Sequence, residues 1–77
     1  MPHVVIKAIK GATPEQVKQA AEQIAEIINK TMGKPKKYIS VSYEEYASFD
    51  DWKKVYDEFI RGKDNVIVKP DYDPENL

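Results

Sequence analysis

Between Thr13 and Gly33 the chain carries a helix whose two ends are both signposted, flanked on each side by a run that reads as a strand. Thr13 is a capping residue, Pro14 suits the first helical position, and Gln16 completes a capping box. Gly33 supplies the left-handed stop and Pro35 forbids continuation. Val17, Ala20, Ala21, Ile24, Ile27, Ile28 and Met32 recur at i, i+3, i+4, i+7 spacing as one apolar stripe. Such a helix, Pro14 to Met32, is about 28 Å long at ~1.5 Å per residue, enough to span a sheet. Before it, the run from His3 to Lys10 is rich in β-branched residues. Val4, Ile6 and Ala8 fall on one face, Val5 and Ile9 on the other with Lys7 between them. After it, the run from Tyr38 to Tyr43 alternates, with Ile39, Val41 and Tyr43 on one face and Tyr38, Ser40 and Ser42 on the other. Strand, helix, strand is a βαβ unit, so the two strands are expected to be parallel with a right-handed crossover.

The remainder predicts a second, shorter helix and a short third strand, an α/β (α+β) fold in all. Ser48-Phe49-Asp50-Asp51 offers another capping box, and Phe49, Trp52, Val55, Tyr56, Phe59 and Ile60 follow at helical spacing up to Gly62. Asn65 to Lys69 reads as the third strand, stopped by Pro70. The polar tail from Asp71, residues 72–77 above all, is expected to be loose, with Tyr72 a candidate to dock. No repeat, linker or low-complexity segment divides the chain, so residues 1–77 are expected to form a single domain.

Seventy-seven residues bury little, and domains of this size usually need a staple. With no cysteine there are no disulfides or thiolate metal sites, and one histidine, His3, cannot anchor a typical zinc site alone. A partner subunit is the remaining staple. The sheet face carrying Val5, Ile9 and the tyrosine–serine row needs cover that one chain does not supply, so a homo-oligomer is expected. A net charge of −1 gives no reason to expect nucleic acid. No apolar run approaches the ~20 residues of a membrane span, and no signal-peptide pattern opens the chain, so the expected compartment is the cytoplasm.

Most side chains that carry chemistry have structural readings close at hand. Glu44-Glu45 and Asp50-Asp51 are sequence neighbours pointing to different faces, and Asp51 has a capping role. Lys34, Lys36 and Lys37 make a short basic patch at the mouth of the second strand, a solvated loop or an anion-steering feature. The aromatic residues of the second helix have the spacing of a core. Pro2 is different. Removal of Met1 leaves it as a secondary amine fixed to the end of a strand, and its ring restricts the direction of the lone pair. A free α-amino group titrates near ~7.7–8.0, and an apolar wall lowers that value toward the range where a general base works best. With Met1 attached the nitrogen is an amide with no basicity. A proline at the first residue of a strand is also simply tolerated there, so the dipeptide alone leaves both readings open.

Pro2 after Met1, an immediate strand, a glycine-ended turn, a long capped helix and a short parallel strand together resemble the 4-oxalocrotonate tautomerase family. Within it, the opening Pro2-His3-Val4-Val5-Ile6-Lys7, the region of Trp52 and the ending Val68-Lys69-Pro70-Asp71-Tyr72 look most like the small PptA-type (YdcE-type) members. The resemblance implies a cofactor-independent isomerase that interconverts enol and keto forms of a small 2-oxo acid, such as 2-hydroxymuconate or phenylenolpyruvate, with Pro2 as general acid/base. It also implies an oligomer, and the extended second helix is similar to the dimeric rather than the hexameric kind. Members acting on dicarboxylates carry arginines where this chain has Ala12 and Ser40. Lys10 or Lys37 is then expected to hold the carboxylate as a point charge, backbone amides or Ser40 to polarise the carbonyl oxygen, and Trp52 to shape the pocket. The rival readings are a non-catalytic homo-oligomeric interaction module and a related proline-dependent dehalogenase or decarboxylase.

Overall fold

A computed structural model describes residues 1–77. Strand β1 (His3–Ile9) leads into helix α1 (Pro14–Met32), strand β2 (Ser40–Tyr46) and helix α2 (Phe49–Phe59), with short 3-10 turns at Lys36–Tyr38 and Pro74–Asn76. The two strands pair in parallel from His3 opposite Ser40 to Ile9 opposite Tyr46. The expected βαβ unit is therefore present.

The capping box of α1 is fully made. Thr13 Oγ1 accepts from the Gln16 amide at 3.1 Å, and the Gln16 side chain accepts from the Thr13 amide at 2.9 Å. Gly33 closes the helix at φ 65°, donating to the Asn29 carbonyl. In α2 the Ser48 hydroxyl accepts from the Asp51 amide at 3.1 Å, one half of the expected box. Strand β2 begins two residues later than its alternation suggests, because Tyr38 and Ile39 donate to the Pro35 and Lys36 carbonyls in a tight turn. It then runs on through Glu44 and Glu45, since Lys7 stands opposite Glu44 and pairs with it.

The two helices lie on opposite faces of the ribbon. Helix α1 faces the Val41–Tyr43 side, where Val17 and Tyr43 line one hollow. Helix α2 crosses the other face, with the Lys7 ammonium 4.3 Å from the Phe59 ring centroid and Trp52 edge-on to Tyr46 at 6.2 Å. The result is a slab of 40 × 30 × 17 Å in which only Val55, Tyr56 and Pro74 are buried. Ile27 and Met32 on α1 remain more than half exposed.

Two expectations are corrected. The run Asn65–Lys69 forms no third strand: the sheet has two strands, and Ile67 and Val68 are 93 % and 89 % exposed. Its β-branched residues fit a pleated, half-buried surface, but the turn after α2 brings it to no strand edge within the chain.

The tail is not loose either. Tyr72 Oη accepts from the Trp52 indole at 2.8 Å, its carbonyl accepts from Tyr56 Oη at 3.0 Å, and Arg61 grips Asp73 through two bonds of 2.7 and 2.9 Å. Pro74 is fully buried behind them. Polar composition hid this anchor because nearly all its bonds are made to residues of α2 and its C-terminal end.

The Asp73 carboxyl is pulled from its ordinary value near 3.8 to about 2, first by Arg61 and then by the Glu75 amide. A carboxyl depressed on folding adds stability that is complete above its unfolded pKa and is lost as pH falls through the folded value. The urea midpoint is therefore expected to drop between about pH 4 and pH 2. Asp73→Asn should start lower at pH 5 and lose less across that window; parallel curves for the two proteins would show that this pair does not carry the acid sensitivity.

Candidate active site

Pro2 stands half-buried at the foot of β1, and its carbonyl accepts the Ser40 amide at 3.2 Å. That bond sets the start of β2 beside the start of β1. Because the strands are parallel, register partners share a face: His3, Val5, Lys7 and Ile9 lie alongside Ser40, Ser42, Glu44 and Tyr46. Helix α2 occupies the Lys7–Tyr46 half of this face, and the foot is left to His3, Ser40 and Ser42.

The His3 ring bridges the two serines. Its Nδ1 lies 2.6 Å from Ser40 Oγ and its Nε2 3.3 Å from Ser42 Oγ. Further along, the Lys7 ammonium meets the Glu44 carboxylate and the Tyr46 hydroxyl. The bond to Glu44 holds the Lys7 pKa above its usual value, and the bond from Lys7 holds Glu44 below the ordinary carboxylate range. Lys7 is thus committed to its neighbours.

Of the residues singled out in the sequence, Pro2 and Ser40 meet at the foot of the sheet. Lys37 sits in the turn before β2, its ammonium 4.9 Å from the Tyr38 ring centroid. Lys10 and Trp52 do not join them within one chain. Lys10 follows the far end of β1 and donates its amide to the Tyr46 carbonyl, about 26 Å from Pro2 at ~3.3 Å per residue. Trp52 packs on Tyr46 at that same far end. The hollows of the chain lie under the end of α2, beside Tyr43 and along α1, and none is lined by Pro2. The bridge from the His3 ring to both serines is not legible in the sequence. The alternation that puts Ser40 and Ser42 on one face was visible, but their pairing with His3 depends on the strand register.

The architecture is that of a small βαβ chain with a proline at the foot of its first strand and a polar row beside it. The chain belongs to the tautomerase family: the family model described as "Tautomerase enzyme" matches residues 2–49, beginning on Pro2. Probable tautomerases of Bacillus cereus and Bacillus anthracis are each 40 % identical to it over 47 residues, covering 61 % of this chain and 77 % of theirs. Among solved structures, YwhB, a homologue of 4-oxalocrotonate tautomerase, superposes with a TM-score of 0.58 at 33 % identity, over 60 % of this chain and 75 % of its own. TomN, a 4-oxalocrotonate tautomerase homologue of the tomaymycin biosynthetic pathway, gives 0.58 at 24 % identity over 60 % and 71 %, a likeness of fold alone. Residues 50–77, most of α2 and the docked tail, lie outside the family match. No helix is long and apolar enough to cross a membrane.

Proposed function

We propose that this chain, beginning at Pro2 after loss of Met1, interconverts the enol and keto forms of a small 2-oxo acid with the proline nitrogen as general acid/base. The observation that carries the reading is that the family match begins on the one residue able to present a rigid secondary amine. In the ketonising direction the neutral nitrogen takes the enol hydroxyl proton as the C–O bond becomes a carbonyl. The C=C electron pair takes a proton at the adjacent carbon, which the prolinium returns. No cofactor enters this balance. A hydroxyl such as Ser40's, aimed at the oxygen where charge develops, stabilises the enolate-like transition state.

The reading includes a second copy of the chain. One protomer holds Pro2 and Lys37 at one end of the sheet and Lys10 and Trp52 at the other, so a pocket containing all four has to draw on two chains. Exposed Ile67, Val68, Ile27 and Met32 supply apolar surface for that association. A homodimer in the cytoplasm, of the PptA-like kind, is the form we favour over a hexamer, and light scattering distinguishes the two.

The direct test follows the enol absorbance of phenylenolpyruvate. Pro2→Ala is expected to lower kcat/KM by about 10²-fold, at the low end of general acid–base contributions because alanine keeps a primary amine. Equal turnover by the variant and the parent would remove the proline mechanism.

A further inference from the structure

Residues 65–69 have the composition of a strand and no strand to pair with inside their own chain. Val66, Ile67 and Val68 are apolar on both faces of a pleat, the pattern of a strand covered on two sides. Yet Ile67 and Val68 are almost wholly exposed, and the amides of Ile67, Val68 and Lys69 donate to no backbone carbonyl. The one carbonyl of the trio that is met, that of Val66, accepts from the Lys69 ammonium at 3.1 Å. The sheet, for its part, is short of a strand. Its ladder runs through even-numbered residues, from the Ser40 amide on the Pro2 carbonyl to the Lys10 amide on the Tyr46 carbonyl. Alternate residues of a parallel pair bond inward, so Val41, Tyr43 and Glu45 turn their amides and carbonyls to the free edge of β2. Two strands are fewer than a sheet needs to stand alone.

We propose that residues 65–69 of each protomer add to the outer edge of β2 in a second copy of the chain, closing a two-fold pair in which each ribbon gains a strand from its partner. This names the contact of the homodimer in the tautomerase reading, on which it rests. A second copy is the fitting occupant because one chain buries only Val55, Tyr56 and Pro74, and so lacks the core that lets a chain of this size stand alone. The lengths agree: the edge groups run from Val41 to Glu45, and the apolar trio with one residue on each side matches that run before Pro70, which has no amide to give, ends it. The charges agree as well. Lys63 and Lys69 flank the trio, so in either strand direction a lysine arrives near the Glu44–Glu45 end of β2, whereas β1 leads into Lys10. Glu44 is taken by Lys7, which leaves Glu45 for the arriving lysine. On pairing, the bends at Ile67 and Val68 straighten, amides that lacked acceptors find them, and both side chains leave water. Reciprocity closes the pair, since each copy offers one such segment and one such edge.

The chain has no cysteine, so single cysteines report the contact directly. Glu45→Cys is mixed with Lys69→Cys, and separately with Asn65→Cys, joined by a short bis-maleimide and weighed by mass spectrometry. One of the two mixtures, according to strand direction, is expected to give a linked heterodimer well above the yield with Glu22→Cys, an exposed position on α1. Hydrogen exchange, followed amide by amide, is the second measurement. Where light scattering shows the pair, the amides of Val41, Tyr43 and Glu45 are expected to exchange at least about tenfold more slowly than after dilution to monomer. The double variant Ile67→Asp, Val68→Asp is expected to weaken association by about 10²-fold, because two apolar side chains lose their burial and two carboxylates meet Glu45. A dimer whose β2-edge amides exchange as fast as the monomer's, or linkage no greater than with Glu22→Cys, would overturn this contact and leave the homodimer to another surface. A chain that stays monomeric, or that polymerises as concentration rises, overturns the closed pair itself, whatever its turnover of phenylenolpyruvate. Failure of the tautomerase reading shows separately, as a protected and linked dimer that does not turn the substrate over.

Discussion

A chain whose Pro2 nitrogen is held in a peptide bond is expected to lose phenylenolpyruvate turnover by about 10²–10⁴-fold against one that begins at Pro2, the span a positioned general acid–base contributes. The comparison needs two preparations of one sequence, one processed to Pro2 and one carrying a short Gly-Ser leader, each verified by intact mass. Acylation converts the amine into an amide, which neither takes nor returns a proton near neutrality, and it changes little else. The Pro2 carbonyl still accepts from Ser40, and the ladder above it is unaltered. The urea midpoint of the two should therefore agree, which separates a chemical loss from an unfolded foot of the strand. Comparable rates from both preparations would end the proline mechanism. A leader that merely blocks access is recognised by its effect on KM, whereas loss of the base lowers kcat.

The second large effect concerns the centre of the fold. Tyr56 is 8 % exposed, lies at 5.5 Å and 56° to Tyr72, carries the Arg61 guanidinium 4.9 Å from its ring centroid and donates to the Tyr72 carbonyl. Removing a buried aromatic ring costs about 3–5 kcal/mol, while a whole domain is stable by only about 5–15 kcal/mol. Tyr56→Ala is accordingly expected to remove much of the stability of this chain. Tyr56→Phe, which loses one hydrogen bond and keeps the ring, should cost about 1 kcal/mol. Urea titrations at one fixed protein concentration measure both, the fixed concentration being needed because association contributes to apparent stability. A Tyr56→Ala protein within about 1 kcal/mol of the parent would mean that the tail and α2 are not the stabilising unit.

The contrast between the two ends of the chain shows what local sequence is able to specify. The start and stop of α1 were legible because Thr13, Gln16 and Gly33 act on backbone groups a few residues away. The parallel pairing followed from a long capped helix between two runs that read as strands. The tail was misread for the opposite reason: Tyr72 and Asp73 are polar in composition, yet their partners Trp52, Tyr56 and Arg61 lie 12 to 20 residues back. Asn65–Lys69 was misread because strand propensity says nothing about whether an edge is at hand. At the candidate site, Pro2 stood out as a chemical type, whereas the setting of the His3 ring depended on hydroxyls 37 and 39 residues distant.

The pairing of His3 with Ser40 also bears on how this chain tolerates insertions. Side chains alternate across a ribbon, so a slip of β2 by one position would turn Val41 and Tyr43 toward the open side and press both serines beneath α1. The connection from Gly33 to Ile39 is free to lengthen only if the extra residue is absorbed before Ser40. Descendants of this sequence are thus constrained less by how long that connection is than by whether the strand after it keeps the same parity.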